Sequence, residues 1–342
     1  MRIAVISPPW APVPPVLYGG IELVVDRLAV GFQDAGHEVL LFATGDSTCA
    51  VPTQFVLEKS EGMRIGMAVP EQRHVLAAYE AITSWGADVV HDHSIIGPFH
   101  AADRYPDLPV ATTIHGPFNE ELTDLYERLN ASDTPIIAIS RAQAASAPTV
   151  TCERVIHHGI DAEDFPVGDG GGGYCLFLGR MSPDKGPHRA IAAAKAAGVP
   201  LLMAAKMREA WEHAYFNELV APHLDDKIRY LGEVPHEEKL ALLAGATALL
   251  NPIRWNEPFG LVMIEALACG TPVLAFAEGA APEIVRDGET GFLCADEEAM
   301  AADIARAGDL DRVACRAAVE TYFSTKRIVD EHIELFEKMI GA

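Results

Sequence analysis

Two glutamates, Glu257 and Glu265, stand with seven residues between them in the otherwise apolar stretch EPFGLVMIEALACG. An unpaired carboxylate is costly to bury, so their retention in such a run asks what they bind. Pro258 disfavours helical geometry at the residue before it, which places Glu257 in a loop and starts a helix near Phe259 or Gly260. Glu265 then lies roughly one and a half turns inside that helix. The N–H groups of Phe259, Gly260 and Leu261 can receive an anion at the helix start. The carboxylates are acceptors only; they repel phosphate and suit hydroxyl groups. A phosphate flanked by hydroxyl-rich groups describes a nucleotide sugar. The competing reading makes Glu257 a solvated loop residue and Glu265 a polar position on a helix margin.

Three further strand ends carry unusual residues. In LGRMSPDKG, Arg180 and Lys185 follow the apolar run YCLFLG directly and could clamp a diphosphate, Arg as a fork and Lys as a point charge. Near the start, SPPWAPVPPVLYGGIE places Gly19 and Gly20 just before a helix, where backbone N–H groups lie open to an anion. No GxGxxG follows this strand, so the ordinary dinucleotide fingerprint is absent. In TTIHGPF, His115 ends a strand and can donate to a sugar hydroxyl, accept from it, or act as a base; it serves equally as a structural histidine. His91, Asp92 and His93 in HDHS invite a metal reading, but the chain supplies no companion ligand set, and no metal is expected.

These residues need a scaffold that brings strand ends together. RIAVIS, the amphipathic IELVVDRLAVGFQDAG and HEVLLFAT read as strand, helix, strand, with Ile21, Val24, Val25, Leu28 and Phe32 at spacings of three and four. DVVHDH, PVATTIH, PIIAIS and RVIHHG follow as short continuous apolar runs, the pattern of parallel strands covered on both faces. After PVGDGGGG the alternation restarts at YCLFLG and continues to PVLAFA. Gly-rich composition predicts a flexible connector. The expectation is α/β: a Rossmann-like doubly wound domain over 1–166, a linker over 167–173, and a second such domain over 174–323, facing across a cleft. Residues 324–342 read as a terminal helix with Val329, Ile333, Phe336 and Ile340 on its apolar face; it packs on a domain surface, with a return to the N-terminal domain as one option.

The 342 residues carry 26 Lys plus Arg against 49 Asp plus Glu, a formal net charge of -23. Such a chain repels nucleic acid and anionic membrane surfaces, so an anionic ligand must be held by a few local donors. No window approaches the ~18 apolar residues of a membrane span. Six scattered cysteines without CxxC pairing fit reduced thiols in a cytoplasmic protein.

With these motifs in view, the chain resembles the retaining glycosyltransferases of family four, which have the GT-B architecture of two facing Rossmann-like domains. The resemblance runs from YGGIELVVDRLAVGFQDAGHEVLLFAT through HHGID and GRMSPDKG to EPFGLVMIEALACGTPVLAF and PEIVRDGETGFL. It implies that Arg180 and Lys185 hold the donor diphosphate, that Phe259, Gly260 and Leu261 offer it backbone N–H groups, and that Glu265 accepts from the ribose. Glu257 would contact hydroxyls of the transferred sugar, and His115 would bind that sugar beside the reacting carbon. Gly20 would approach the diphosphate or the acceptor, and the segment around Val234 would contact the base. The resemblance further implies transfer to a hydroxyl of a carbohydrate or glycosylated natural product by front-face attack, with no metal or cofactor beyond the nucleotide sugar. The short length and alanine-rich helices resemble enzymes of actinobacterial natural-product assembly of the avilamycin type. A nucleotide-sugar epimerase or a phosphorylase on the same architecture, and a non-catalytic nucleotide-binding regulator, are the competing functions. The first converts donor without acceptor, the second needs a lysine-linked pyridoxal group, and the third binds without turnover.

Overall fold

A computed structural model describes residues 1–17 and 19–341; Tyr18 of the YGGIE stretch lies outside the described residues. The chain divides into two compact units, Met1–Gly159 with Thr325–Ala342, and Ile160–Ser324. Each unit is a wholly parallel sheet flanked by helices.

In the first unit the strands are β1 (Arg2–Ile6), β2 (Glu38–Ala43), β3 (Thr53–Phe55), β4 (Val89–Asp92), β5 (Val110–Ile114), β6 (Ile136–Ala138) and β7 (Arg154–Val155). They lie in the order β3-β2-β1-β4-β5-β6-β7. The helices are α1 (Gly20–Asp34), α2 (Ala68–Trp85), α3 (Gly97–Arg104), α4 (Glu120–Leu129) and α5 (Arg141–Ser146). In the second unit, β8 (Cys175–Arg180), β9 (Leu201–Lys206), β10 (Ile228–Gly232), β11 (Ala248–Asn251), β12 (Val273–Phe276) and β13 (Gly291–Cys294) form the order β10-β9-β8-β11-β12-β13. Its helices are α6 (Pro187–Ala197), α7 (Ala210–Leu219), α8 (His236–Gly245), α9 (Leu261–Ala268), α10 (Ala281–Ile284), α11 (Glu297–Ala307) and α12 (Arg312–Tyr322); α13 (Thr325–Ile340) returns to the first unit.

The doubly wound pattern follows from the apolar runs. VLAF of β12 and ALLN of β11 are buried throughout, as strands covered on both faces must be. Both orders reverse beside the first strand of their unit, β1 in one and β8 in the other, and ligands of such sheets gather at the carboxyl ends there.

Two expectations are corrected. The glycine run over 167–173 is not a linker, and the units part at Gly159 and Ile160 instead. The amides of Gly168, Gly170 and Gly172 donate to the carbonyls of Cys269, Ala244 and Gly245 at 3.0, 3.2 and 2.9 Å. Arg312 binds the Gly168 carbonyl at 2.7 Å, and a side chain at Gly168 would collide with the Ala244 carbonyl. Glycine serves close backbone approach here rather than flexibility.

The terminal helix α13 takes the option of returning to the first unit, with its buried stripe rotated from the expected one. Ile328, Val329, His332, Leu335 and Phe336 are buried, while Ile333 and Ile340 are half-buried. Val329 sits against Gly31 of α1, and Phe336 lies edge-on to Phe32 with centroids 5.6 Å apart. Among the described residues, no helix is long and apolar enough to cross a membrane.

Candidate functional site

Within the second unit, the carboxyl ends of β8, β10 and β11 position the expected donor residues. After β11 the chain turns through Trp255 and Glu257 before α9. The Glu257 carbonyl accepts from the Ala280 amide at 3.0 Å, which fastens this loop to the one after β12. Gly279, at φ +53°, packs so closely that an added Cβ would meet the Glu257 backbone nitrogen at 2.5 Å. Gly279→Ala is therefore expected to displace Glu257 at a cost on the order of 1–3 kcal/mol, which thermal unfolding measures.

Helix α9 begins at Leu261, with Gly260 in the left-handed region as its N-cap and no acidic residue in the first turn. The expected start at Phe259 or Gly260 thus moves to Leu261. Phe259 is buried and stands edge-on to Phe323, so its side chain anchors the turn. The helix start keeps the partial positive charge of its first N–H groups.

Both glutamates are held by lysines. Lys185 Nζ bonds Glu257 Oε2 and lies 5.2 Å from the ring centroid of Trp255. Lys239 Nζ bonds Glu265 Oε1 at 2.8 Å; Glu265 is only 4% exposed. Lys239 belongs to α8, and Val234 lies in the turn that enters the same helix. Val234 and Glu265 are thereby tied to one element.

Arg180 and Lys185 do not share a partner. Arg180 Nε stands 3.5 Å from the buried Glu212 of α7. Beside it, Lys206 at the end of β9 has its ammonium pushed down by burial and then by Arg180 and Arg208. Arg208 in turn holds both carboxylate oxygens of Glu233 at 3.1 Å. Sequence reasoning missed Lys239, Glu212 and Trp255. For Lys239 a signal existed: it is the only Lys or Arg between Arg229 and Arg254, and a buried Glu265 requires a cation.

In the first unit, Gly20 was expected just before the helix and is instead the first residue of α1, with Gly19 as its N-cap, and the helix start is not an open anion site. Glu22 lies in its first turn, 5% exposed, with Oε2 3.1 Å from where a Cβ of Gly19 would stand. A carboxylate there favours a hydroxyl over a phosphate.

His115 follows β5 and belongs to a packed group of imidazoles. Its Nε2 is 2.8 Å from His93 Nδ1, and its ring stacks on His158 at 5.2 Å. His91 and His93 have centroids 4.0 Å apart, and His91 lies 4.7 Å from His332. Burial, and next the proximity of His332, pushes His115 down to about 3, so it is neutral at pH 7. Period two keeps His91 and His93 together and turns Asp92 to the other face. Asp92 accepts from Tyr79 at 2.7 Å and Ser94 at 2.7 Å, while His91 contacts Thr113. Among the described residues no three His, Cys, Asp or Glu side chains are grouped to hold a metal ion.

Two doubly wound parallel sheets on one chain, the second carrying lysines, carboxylates and a helix start at its strand ends, define a glycosyltransferase of the GT-B fold. A family model described as Glycosyltransferase Family 4 matches residues 18–164, and one described as Glycosyl transferases group 1 matches 164–317; the chain belongs to this glycosyltransferase family. It is 28% identical to a glycogen synthase of Mycobacterium tuberculosis, over 87% of this chain and 83% of that protein. It is 29% identical to a phosphatidyl-myo-inositol mannosyltransferase of Mycolicibacterium smegmatis, over 88% and 83%. Among solved structures, AviGT4, a glycosyltransferase involved in avilamycin A biosynthesis, superposes with a TM-score of 0.75 at 25% identity, covering 100% of this chain and 98% of that one. Sucrose-phosphate synthase from Thermosynechococcus elongatus gives 0.84 at 21% identity, over 99% of each chain, a likeness of fold.

Proposed function

We propose that this chain moves a sugar from a nucleoside-diphosphate sugar to a hydroxyl of a carbohydrate or glycosylated natural product, with retention of configuration. The observation that carries the donor half is the pairing of Lys185 with Glu257 and of Lys239 with Glu265 on either side of the α9 start. Lys185 can turn from Glu257 to a phosphate oxygen while Glu257 takes a sugar hydroxyl. The N–H groups at Gly260 and Leu261 receive the charge that develops on the leaving diphosphate, with Arg180 as a further cation. Glu265 accepts from the ribose, and the turn at Val234 meets the base.

In the front-face reaction the bond from the anomeric carbon to the phosphate oxygen breaks while a bond to the acceptor oxygen forms on the same face. The acceptor's proton passes to the leaving phosphate oxygen. His115 holds the donor sugar beside that carbon, and Glu22, next to Gly20, favours the acceptor as the neighbour of the α1 start. Charge compensation by side chains and helix N–H groups requires neither a metal nor a cofactor. Turnover undiminished by a chelator is the expected result. AviGT4's role in avilamycin A biosynthesis supports the natural-product half of the acceptor class, and the glycogen synthase the carbohydrate half. Six free cysteines, four of them buried, fit a reducing compartment, and we place the reaction in the cytoplasm.

Mass spectrometry of the chain with UDP, GDP, ADP and their sugars is expected to select one nucleotide. For that nucleotide, Lys185→Ala and Glu265→Ala should each lose one to two orders of magnitude in calorimetric affinity, the worth of a hydrogen bond to a charged group of about 1.5–3 kcal/mol. Unchanged affinity in both variants would overturn the donor assignment.

A further inference from the structure

His115 Nε2 and His93 Nδ1 are 2.8 Å apart, so one hydrogen serves both nitrogens. The neighbouring rings indicate which nitrogen carries it. His74 Nε2 meets the Ser7 carbonyl at 2.9 Å, and His332 Nδ1 meets the Ile328 carbonyl at 2.6 Å. A carbonyl only accepts, so both of these nitrogens bear hydrogen. Burial keeps the rings neutral, which leaves their second nitrogens, buried and without a partner, as bare lone pairs. A buried N–H without an acceptor is rarer than an under-satisfied acceptor, and these rings follow that preference.

His93 is 4% exposed, and its Nε2 is also buried without a partner. Either placement of the shared hydrogen leaves one ring with an unmatched N–H, and the half-buried His115 bears it at less cost than His93; the hydrogen between them therefore sits on His93 Nδ1, which donates to His115 Nε2. Neutral His115 must then carry its own hydrogen on Nδ1. That nitrogen has no hydrogen-bond partner among the described residues. Of the three rings compared with it, none is left with an unmatched donor, so the missing acceptor is one a ligand can supply.

We propose that His93 is a positioning residue that fixes the tautomer of His115, so that His115 Nδ1–H donates to an oxygen of the bound sugar. The role in sugar binding rests on the donor reading above; the tautomer does not. With His93 in place, His115 donates rather than accepts at that nitrogen, and it is excluded from acting there as a base.

Two-bond 1H–15N correlation spectra of the full chain labelled with 15N-histidine test this, with His115 assigned by its disappearance in His115→Gln. The expected pattern has His115 Nδ1 protonated and Nε2 bare. His93→Asn, whose amide nitrogen can donate from nearly the same place as Nδ1, should retain it. His93→Leu should convert His115 to a mixture of tautomers. With UDP-glucose, GDP-mannose and ADP-glucose as probes, diphosphate release by His93→Leu should fall about 10- to 100-fold in kcat with KM little changed, and His93→Asn should recover most of it. A wild-type His115 protonated on Nε2 overturns the proposal, whatever the variants do. So does full kcat in a folded His93→Leu protein. If wild-type chain turns over none of the three sugars, the donor reading fails, while the spectra still decide the tautomer.

Discussion

Replacing Lys239 with methionine is expected to destabilise the second unit by about 3 kcal/mol, the lower end of what removing one partner of a buried ion pair costs. The lower end applies because the Lys239 side chain retains 22% exposure, against 6% for Glu265. The loss comes from the glutamate left behind. Glu265 sits in α9 between Ile264 and Ala266, both fully buried, and among the described residues its side-chain hydrogen bond goes to Lys239. Its carboxylate also lies close enough to Cys269 to add to the burial that pushes that thiol up to about 12. Urea unfolding measures the effect. Combining Lys239→Met with Glu265→Leu should restore most of the stability, since an apolar pair of similar size costs less than an orphaned charge. On the proposed donor assignment, in which Glu265 accepts from the ribose, nucleotide affinity should stay low in the double variant. If the single variant unfolds at the wild-type midpoint, Glu265 reaches water and the pair is a surface contact.

This pair also marks where sequence reasoning stopped. The division of EPFGLVMIEALACG into a loop glutamate, a helix start and a helix glutamate was legible because Pro258 and the apolar spacing act locally. The lysines that hold the two glutamates were not equally legible. Lys185 was singled out for its place after β8, yet its contact with Glu257 spans 72 residues, and that of Lys239 with Glu265 spans 26. Such pairings follow from the order of strands in the sheet, which apolar runs do not specify. The glycine run failed for a related reason. Its composition fits a flexible chain equally well as a segment pressed against Ala244 and held by Arg312, and only the fold distinguishes them. The sheets themselves were readable, because short continuous apolar runs bounded by turn residues and alternating with amphipathic stretches mark parallel strands buried on both faces. His91 and His93 were visible as a spacing of two, but His115, His158 and His332 reach them from β5, from the segment after β7 and from α13. A local motif that suggested a metal is part of a buried imidazole cluster assembled from distant segments.

That cluster makes the first unit sensitive to acid, and unfolding on going from pH 7 to pH 5 should begin there. Burial pushes His74 and His332 down to about 4 and His115 to about 3, with His91, His93 and His158 held well below the usual range. Below pH 6.5 the unfolded chain takes up protons at these sites and the folded chain does not. Their contribution is therefore complete above pH 6.5 and is lost as pH falls toward 4. At pH 5 each such imidazole withdraws about 2 kcal/mol relative to pH 7. Asp92 works in the opposite direction. Burial raises its carboxyl to about 6, so the folded state gains a proton first and recovers about 1 kcal/mol at pH 5. Glu71 and Asp26, also raised by burial, add to that recovery, but three carboxyls do not offset six imidazoles. The sum is comparable to the whole stability of a domain, about 5–15 kcal/mol, so the effect should be large. Hydrogen exchange read by mass spectrometry should show α1, β4 and α13 losing protection before β11 and α9. His332→Phe should reduce the stability change between pH 7 and 5 by about one imidazole's share, roughly 2 kcal/mol. Protection in the first unit that stays constant over this range would mean that its imidazoles take up protons in the folded state, which their packing against Phe32 and Phe336 opposes.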